Sequence, residues 1–127
     1  MKENAHIKLV GQRTVLVPFH KLYVPKYHAW MADPWIQEMT CSEPLSLEKE
    51  YEGQRSWNED PMKLTFIILS ADHAGSEACS PSSAVGDVNL VLATDEPHVA
   101  ELMVMVAEEG SRRKVIFIAE RGAFFLT

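Results

Sequence analysis

Three β-rich runs in the second half of the chain restrict what it can fold into. Leu64-Thr65-Phe66-Ile67-Ile68-Leu69 is a nearly continuous apolar run, the mark of a buried strand. Val85-Gly86-Asp87-Val88-Asn89-Leu90-Val91-Leu92 and Ala100-Glu101-Leu102-Met103-Val104-Met105-Val106-Ala107-Glu108 are two more strand-like runs, joined by the turn Thr94-Asp95-Glu96-Pro97. Ser70 to Ser83, rich in Ser, Ala, Gly and Asp, is an exposed loop before the second run. Basic Arg112-Arg113-Lys114 follows the third.

The first half supplies a hairpin and two helices. Ile7-Lys8-Leu9-Val10 and Thr14-Val15-Leu16-Val17 are β-branched, partly alternating runs around Gly11-Gln12-Arg13, and Pro18, which cannot donate to a ladder, ends the second. A short helix follows, with Pro25 in its first turn and Tyr23, Tyr27, Trp30 and Met31 at helical spacing; Asp33-Pro34 stops it. Thr40 to Pro44 reads as a polar turn. Ser46 then caps a helix running to about Asn58, with Glu48 in its first turn and Leu47, Tyr51, Gln54 and Trp57 on one face. The order β, α, α, β, β, β predicts an α/β (α+β) fold: a mostly antiparallel sheet with helices packed on it. Val115-Ile116-Phe117-Ile118-Ala119 and Ala123-Phe124-Phe125-Leu126 form an apolar tail.

At 127 residues, with no repeat or linker, the chain is expected to be one domain. No apolar run approaches the ~18 residues that span a bilayer, and no apolar core follows Met1 to His6, so neither a membrane nor a secretion signal is expected. Two cysteines, Cys41 and Cys79, in unrelated loops suit reduced thiols and a cytoplasmic location. The net charge of −6, with basic residues scattered outside 112–114, argues against nucleic acid and for a small polyanion at that one patch. His6, His20, His28, His73 and His98 are dispersed, and neither cysteine has zinc-site spacing, so no metal is expected.

Several of these segments, taken together, carry a resemblance. Gly11-Gln12-Arg13-Thr14-Val15-Leu16-Val17-Pro18 resembles the opening strand of Rim-type acetyltransferases. Val24-Pro25-Lys26-Tyr27-His28-Ala29-Trp30-Met31 and Ser42-Glu43-Pro44-Leu45-Ser46-Leu47-Glu48 are similar to the N-acetyltransferase 9 branch. Thr65 to Leu69, Val85 to Leu90 and Met105 to Glu108 continue the match to the GNAT superfamily, from about Leu9 to Lys114. The resemblance implies residues 7–114 as the N-terminal part of a GNAT domain, with the C-terminal half of the fold missing and 115–127 a divergent tail. It also implies acetyl transfer from acetyl-CoA to a primary amine, in a protein or peptide substrate.

The same resemblance assigns the site. Glu101, fourteen residues before the position of the family's first paired loop glycine, matches a glutamate that many relatives use as base. The main chain of Met105, Val106 and Ala107 would polarise the acetyl carbonyl and pair with the pantetheine arm. Arg112 and Lys114 would attract the pyrophosphate. Where the family has Arg-Gly-Lys-Gly-x-Gly, this chain has Arg112, Arg113, Lys114, Val115, Ile116 and Phe117. Glycines allow positive φ and close main-chain approach to phosphate, so their replacement predicts weakened acetyl-CoA binding. The alternative is a non-catalytic interaction module, or an inactive isoform, on the same half-fold, with the tail lending one strand; separately, an exposed sheet edge would favour self-association.

Overall fold

The structure, a computed structural model, describes residues 4–11, 13–70, 80–96 and 98–112. Its centre is a five-stranded antiparallel meander in the order β1 (Leu9–Val10), β2 (Thr14–Pro18), β3 (Lys63–Ser70), β4 (Ala84–Leu92), β5 (Ala100–Val106). The N-terminal hairpin closes where the Gly11 N–H donates to the Thr14 carbonyl at 2.8 Å. Pro18 is the last residue of β2, opposite Phe66.

All the α-helices among the described residues lie between β2 and β3. A 3₁₀ turn, Lys21–Tyr23, leads into α1 (Val24–Met31), with Pro25 in its first turn. Asp33 and Pro34 end that helix as predicted, and they also start a second one that sequence periodicity does not reveal. The Asp33 carboxylate accepts the Trp35 N–H at 2.9 Å and opens α2 (Pro34–Met39). Six residues are too few to show helical periodicity, so the cap and proline read only as a stop. In α3 (Leu47–Glu59) Ser46 Oγ accepts the Lys49 N–H at 3.2 Å, the cap expected from sequence. Its predicted apolar face is only partly buried: Leu47 is exposed, while Glu50 is buried.

Strand pairing sorts side chains onto two faces, because alternate residues point to opposite sides. Val15 and Val17, Ile67 and Leu69, Asp87 and Asn89, Met103 and Met105 share the helix-covered face. There Val17, Ile67 and Leu69 pack with Phe19, Tyr23, Val24, Tyr27, Trp30 and Met31. The predicted stripe at Tyr23, Tyr27, Trp30 and Met31 is therefore core, tied to α3 by Tyr27–Trp57 edge contact at 6.2 Å. Phe66, Ile68, Val85, Val88 and Val106 form a second cluster on the other face. A bulge makes this possible: Ile68 pairs with Gly86 and Leu69 with Ala84, leaving Val85 as the extra residue. No helix among the described residues is long and apolar enough to cross a membrane.

Candidate functional site

Among the described residues β5 is an edge strand, paired with β4 on one side only. Two bonds fix which of its groups face outward. The Ala93 N–H donates to the Val99 carbonyl at 3.0 Å and the Ala107 N–H to the Val85 carbonyl at 2.8 Å. Bonded and non-bonded pairs alternate in an antiparallel ladder, so Glu101, Met103 and Met105 exchange their main-chain bonds with β4. Ala100, Leu102, Val104 and Val106 turn theirs toward the open edge. Of the three positions expected to offer main-chain donors, only Val106 points its N–H outward. Those of Met105 and Ala107 face β4, because residue parity along the ladder decides direction and residue type does not.

The strand ends in a clamp. The Glu108 N–H joins that of Ala107 on the Val85 carbonyl, at 3.2 Å. On the outer side, Arg112 Nε donates to the Val106 carbonyl at 3.1 Å and Nη2 to the Ala107 carbonyl at 3.2 Å. The same guanidinium lies 4.1 Å from the ring centroid of Trp35 on α2, so helix and strand end are held by one side chain. Glu108 is tied down as well: its Oε1 accepts from Trp30 Nε1 at 2.8 Å and lies 3.7 Å from Lys26 Nζ. Arg112 thus sits beside the Val106 main chain, with part of its donor set already committed. Lys114 lies outside the described residues, as do Val115 to Phe117 and the rest of the tail.

Glu101 stands elsewhere. It is exposed, on the helix-facing side of β5 across from Val91. At about 3.4 Å per residue it is roughly 17 Å along the strand from Val106, and the fold does not bring the two together.

A second polar group, unmarked in the sequence, lies under the helices. Asp87 is buried on β4, opposite Ile67 and Met105. Asn89 Nδ2 donates to Asp87 Oδ2 at 2.9 Å, and Thr65 Oγ1 donates to Asn89 Oδ1 at 2.6 Å. Burial pushes the Asp87 carboxyl up to about 7, and the hydrogen bond from Asn89 only partly opposes it. Burial, helped by Asp87 and Glu50, also raises the Tyr27 phenol and keeps it neutral. Glu50 is raised by burial against the pull of His28, whose Nδ1 lies 3.9 Å away. The available signal was Asp87 and Asn89 two apart in an otherwise apolar strand, which puts both on one face. Among the described residues no group of three His, Cys, Asp or Glu side chains is placed to hold a metal ion.

Comparison with solved structures gives the class. The crystal structure of an acetyltransferase from Thermus thermophilus matches with a TM-score of 0.60 at 17% identity, over 91% of this chain and 71% of that one. The meander and its helices therefore form an acetyltransferase fold. No protein-family model matches the chain. Curated sequences are more specific. The chain is 44% identical over 117 residues to the alpha/beta-tubulin-N-acetyltransferase 9 of Drosophila melanogaster, matching 90% of this chain and 58% of that protein. The Homo sapiens protein of the same name is 44% identical over 118 residues, matching 90% and 57%. An N-acetyltransferase 9-like protein of Schizosaccharomyces pombe is 37% identical over 150 residues, matching 90% of this chain and 68% of that protein. The chain belongs to the N-acetyltransferase 9-like family. It spans well under two thirds of the Drosophila and human relatives.

Proposed function

We propose that this chain is the donor-binding part of a GNAT-type N-acetyltransferase that acetylates a primary amine of a protein, with residues 7–114 as the acetyltransferase segment and 115–127 as a tail. The observation that carries this is the outward Val106 N–H on an open strand edge, with Arg112 fixed beside it, in a chain of this family. Acetyl-CoA, when bound, supplies the thioester whose C–S bond breaks as the amide C–N bond forms. The Val106 N–H is the donor for the acetyl oxygen, and Met105 and Ala107 hold that peptide in place through β4. An extended pantetheine arm fits such an edge because it can pair as a strand would. The free N–H groups of Arg112, with Lys114, attract the phosphates.

The amine must lose its proton, and lysine, with a pKa of about 10.4 against about 7.7 to 8 for an α-amine, needs a base more. Glu101 is the base on this reading. A base must reach the amine directly or through one water, so the acceptor must bridge from Glu101 toward Val106. Glu101→Gln is expected to flatten the rise of rate with pH, whereas Glu108→Gln, at the Val106 end, would do so if the base lies there. The names of the relatives point to tubulin as the protein to try. We place the chain in the cytoplasm, where the exposed free thiol of Cys41 would stay reduced.

Calorimetry with CoA, and acetyl transfer to tubulin, test the proposal. Weak CoA binding that falls as salt rises is expected; no binding at low salt would leave a non-catalytic module. One observation favours that second reading: Leu102, Met103 and Val104 are all well exposed on β5, as on a surface that docks against protein.

A further inference from the structure

We infer that Trp35 is a positioning residue for the phosphate end of the acyl donor: it fixes the Arg112 guanidinium so that one edge of that group is presented to a phosphate. The inference rests on the donor-binding reading above and adds to it a residue outside the strand. A guanidinium carries five N–H donors in one plane. Arg112 spends its Nε edge on the strand end, giving Nε to the Val106 carbonyl at 3.1 Å and Nη2 to the Ala107 carbonyl at 3.2 Å. The other N–H groups, on Nη1 and Nη2, have no partner among the described residues. One from each nitrogen forms the parallel pair that matches two oxygens of a single phosphate.

Two carbonyl bonds along one edge leave the group free to rock about that edge, and the Trp35 ring removes this freedom. Its centroid lies 4.1 Å from Arg112 Cζ, the spacing of a cation resting on an aromatic face. The ring is itself held. Asp33 caps α2 through the Trp35 N–H at 2.9 Å, Gln37 Nε2 donates to the Met31 carbonyl at 2.8 Å, and Ile36, the next residue, is buried in the core cluster. From the other side a tight turn brings Arg112 back over the strand end: the Ser111 N–H donates to the Glu108 carbonyl at 3.0 Å and the Arg112 N–H to the Glu109 carbonyl. Orientation counts for more here than in a chain with a glycine loop. Val115 and Phe117 stand where the family has glycines whose main-chain N–H groups would hold phosphate, so side-chain donors carry a larger share of the contact. A guanidinium fixed by both carbonyls and ring loses little further freedom when the anion arrives.

The test uses the whole chain, first without ligand. The Arg112 Nε–H proton, followed by heteronuclear NMR, is expected to exchange slowly in the parent, faster in Trp35→Leu, and slowly again in Trp35→Phe. Trp35 is 48% exposed, so neither variant empties the core. Calorimetric titration at low salt follows, with inorganic pyrophosphate and then with CoA. Trp35→Leu is expected to bind both roughly two- to five-fold more weakly, the worth of one exposed cation–π contact. Its salt dependence is expected to match that of the parent, because no charge is lost. Trp35→Phe, which keeps an aromatic face, is expected to bind as the parent does. Trp35→Leu that equals the parent in Nε–H exchange or in pyrophosphate affinity overturns the inference, as does a parent chain that binds no pyrophosphate. Pyrophosphate binding without CoA binding removes the donor reading and leaves Trp35 as the positioning residue of an anion site. CoA binding that Trp35→Leu leaves unchanged removes the positioning role alone.

Discussion

Asp87 keeps a carboxyl in the core on the strength of one side-chain hydrogen bond, and the result is a dependence of stability on pH. Its folded pKa, about 7, lies above the ordinary carboxylate value of 3.8. Between these values the unfolded chain releases a proton that the folded chain keeps. Stability therefore falls as pH rises through this window, by at most about 1.4 kcal/mol per pH unit for this group. Below about pH 4 both states are protonated, and above about 7 the loss is complete. Glu50, also raised, acts in the same direction. Asp87→Asn, which still accepts from Asn89, is expected to match the parent below about pH 4 and to be more stable at pH 8; denaturant midpoints at the two pH values would show it. Gly86 is the other sensitive position. A Cβ there would fall on the carbonyl oxygen of Met105, so β4 and β5 approach too closely for any side chain. Gly86→Ala is expected to cost about 2 to 3 kcal/mol and to shorten hydrogen-exchange protection at Ala107.

At the scale of elements, α3 shows how little of a helix must be apolar when its neighbours supply the contacts. Its inner side reaches the core through Trp57 and Tyr51, and Gln54 Nε2 donates to the Phe19 carbonyl at 2.8 Å. Gly53 lies in mid-helix, where an added methyl group would meet nothing within 4 Å, so it contributes flexibility and no packing. Gly53→Ala is expected to raise stability by about 0.5 to 1 kcal/mol, while Ser46→Ala, losing the cap on Lys49, should lower it by about 1 kcal/mol. Opposite shifts of the thermal midpoint would confirm both. β5 depends on Arg112 at one end and on its ladder elsewhere. Its last peptides are oriented by a side chain reaching back five and six residues, with α2 beneath it.

For the whole molecule, the edge of β5 that stands open among the described residues is the surface that both functional readings use. On either reading the ligand or docked protein would use the outward groups of Leu102, Val104 and Val106. Arg112→Gln is expected to weaken CoA binding several-fold at low salt and to reduce its salt dependence, because a phosphate-attracting charge is lost. Titration calorimetry at two ionic strengths measures both effects. A wild-type affinity that is tight and unaffected by salt would require contacts other than these.

The strands, the capped α3 and the aromatic stripe of α1 were legible in the sequence because each rests on local periodicity or a local cap. Ser46 needs only its own helix to act, and Leu64 to Leu69 are apolar wherever the run is placed. For the site, the family resemblance pointed to Glu101, the main chain of Met105 to Ala107, Arg112 and Lys114. What sequence could not give is direction. Whether Val106 or its neighbours face outward depends on which pairs of the β4–β5 ladder are bonded, and that is settled by register, a feature of two strands together. The same holds for Asp87, whose pKa follows from the helices packed over it, and for Arg112, whose grip on Trp35 joins residues 77 apart in the chain. Local chemistry fixes what each segment can be, while the positions of groups on a sheet edge come only from the pairing of segments distant in sequence.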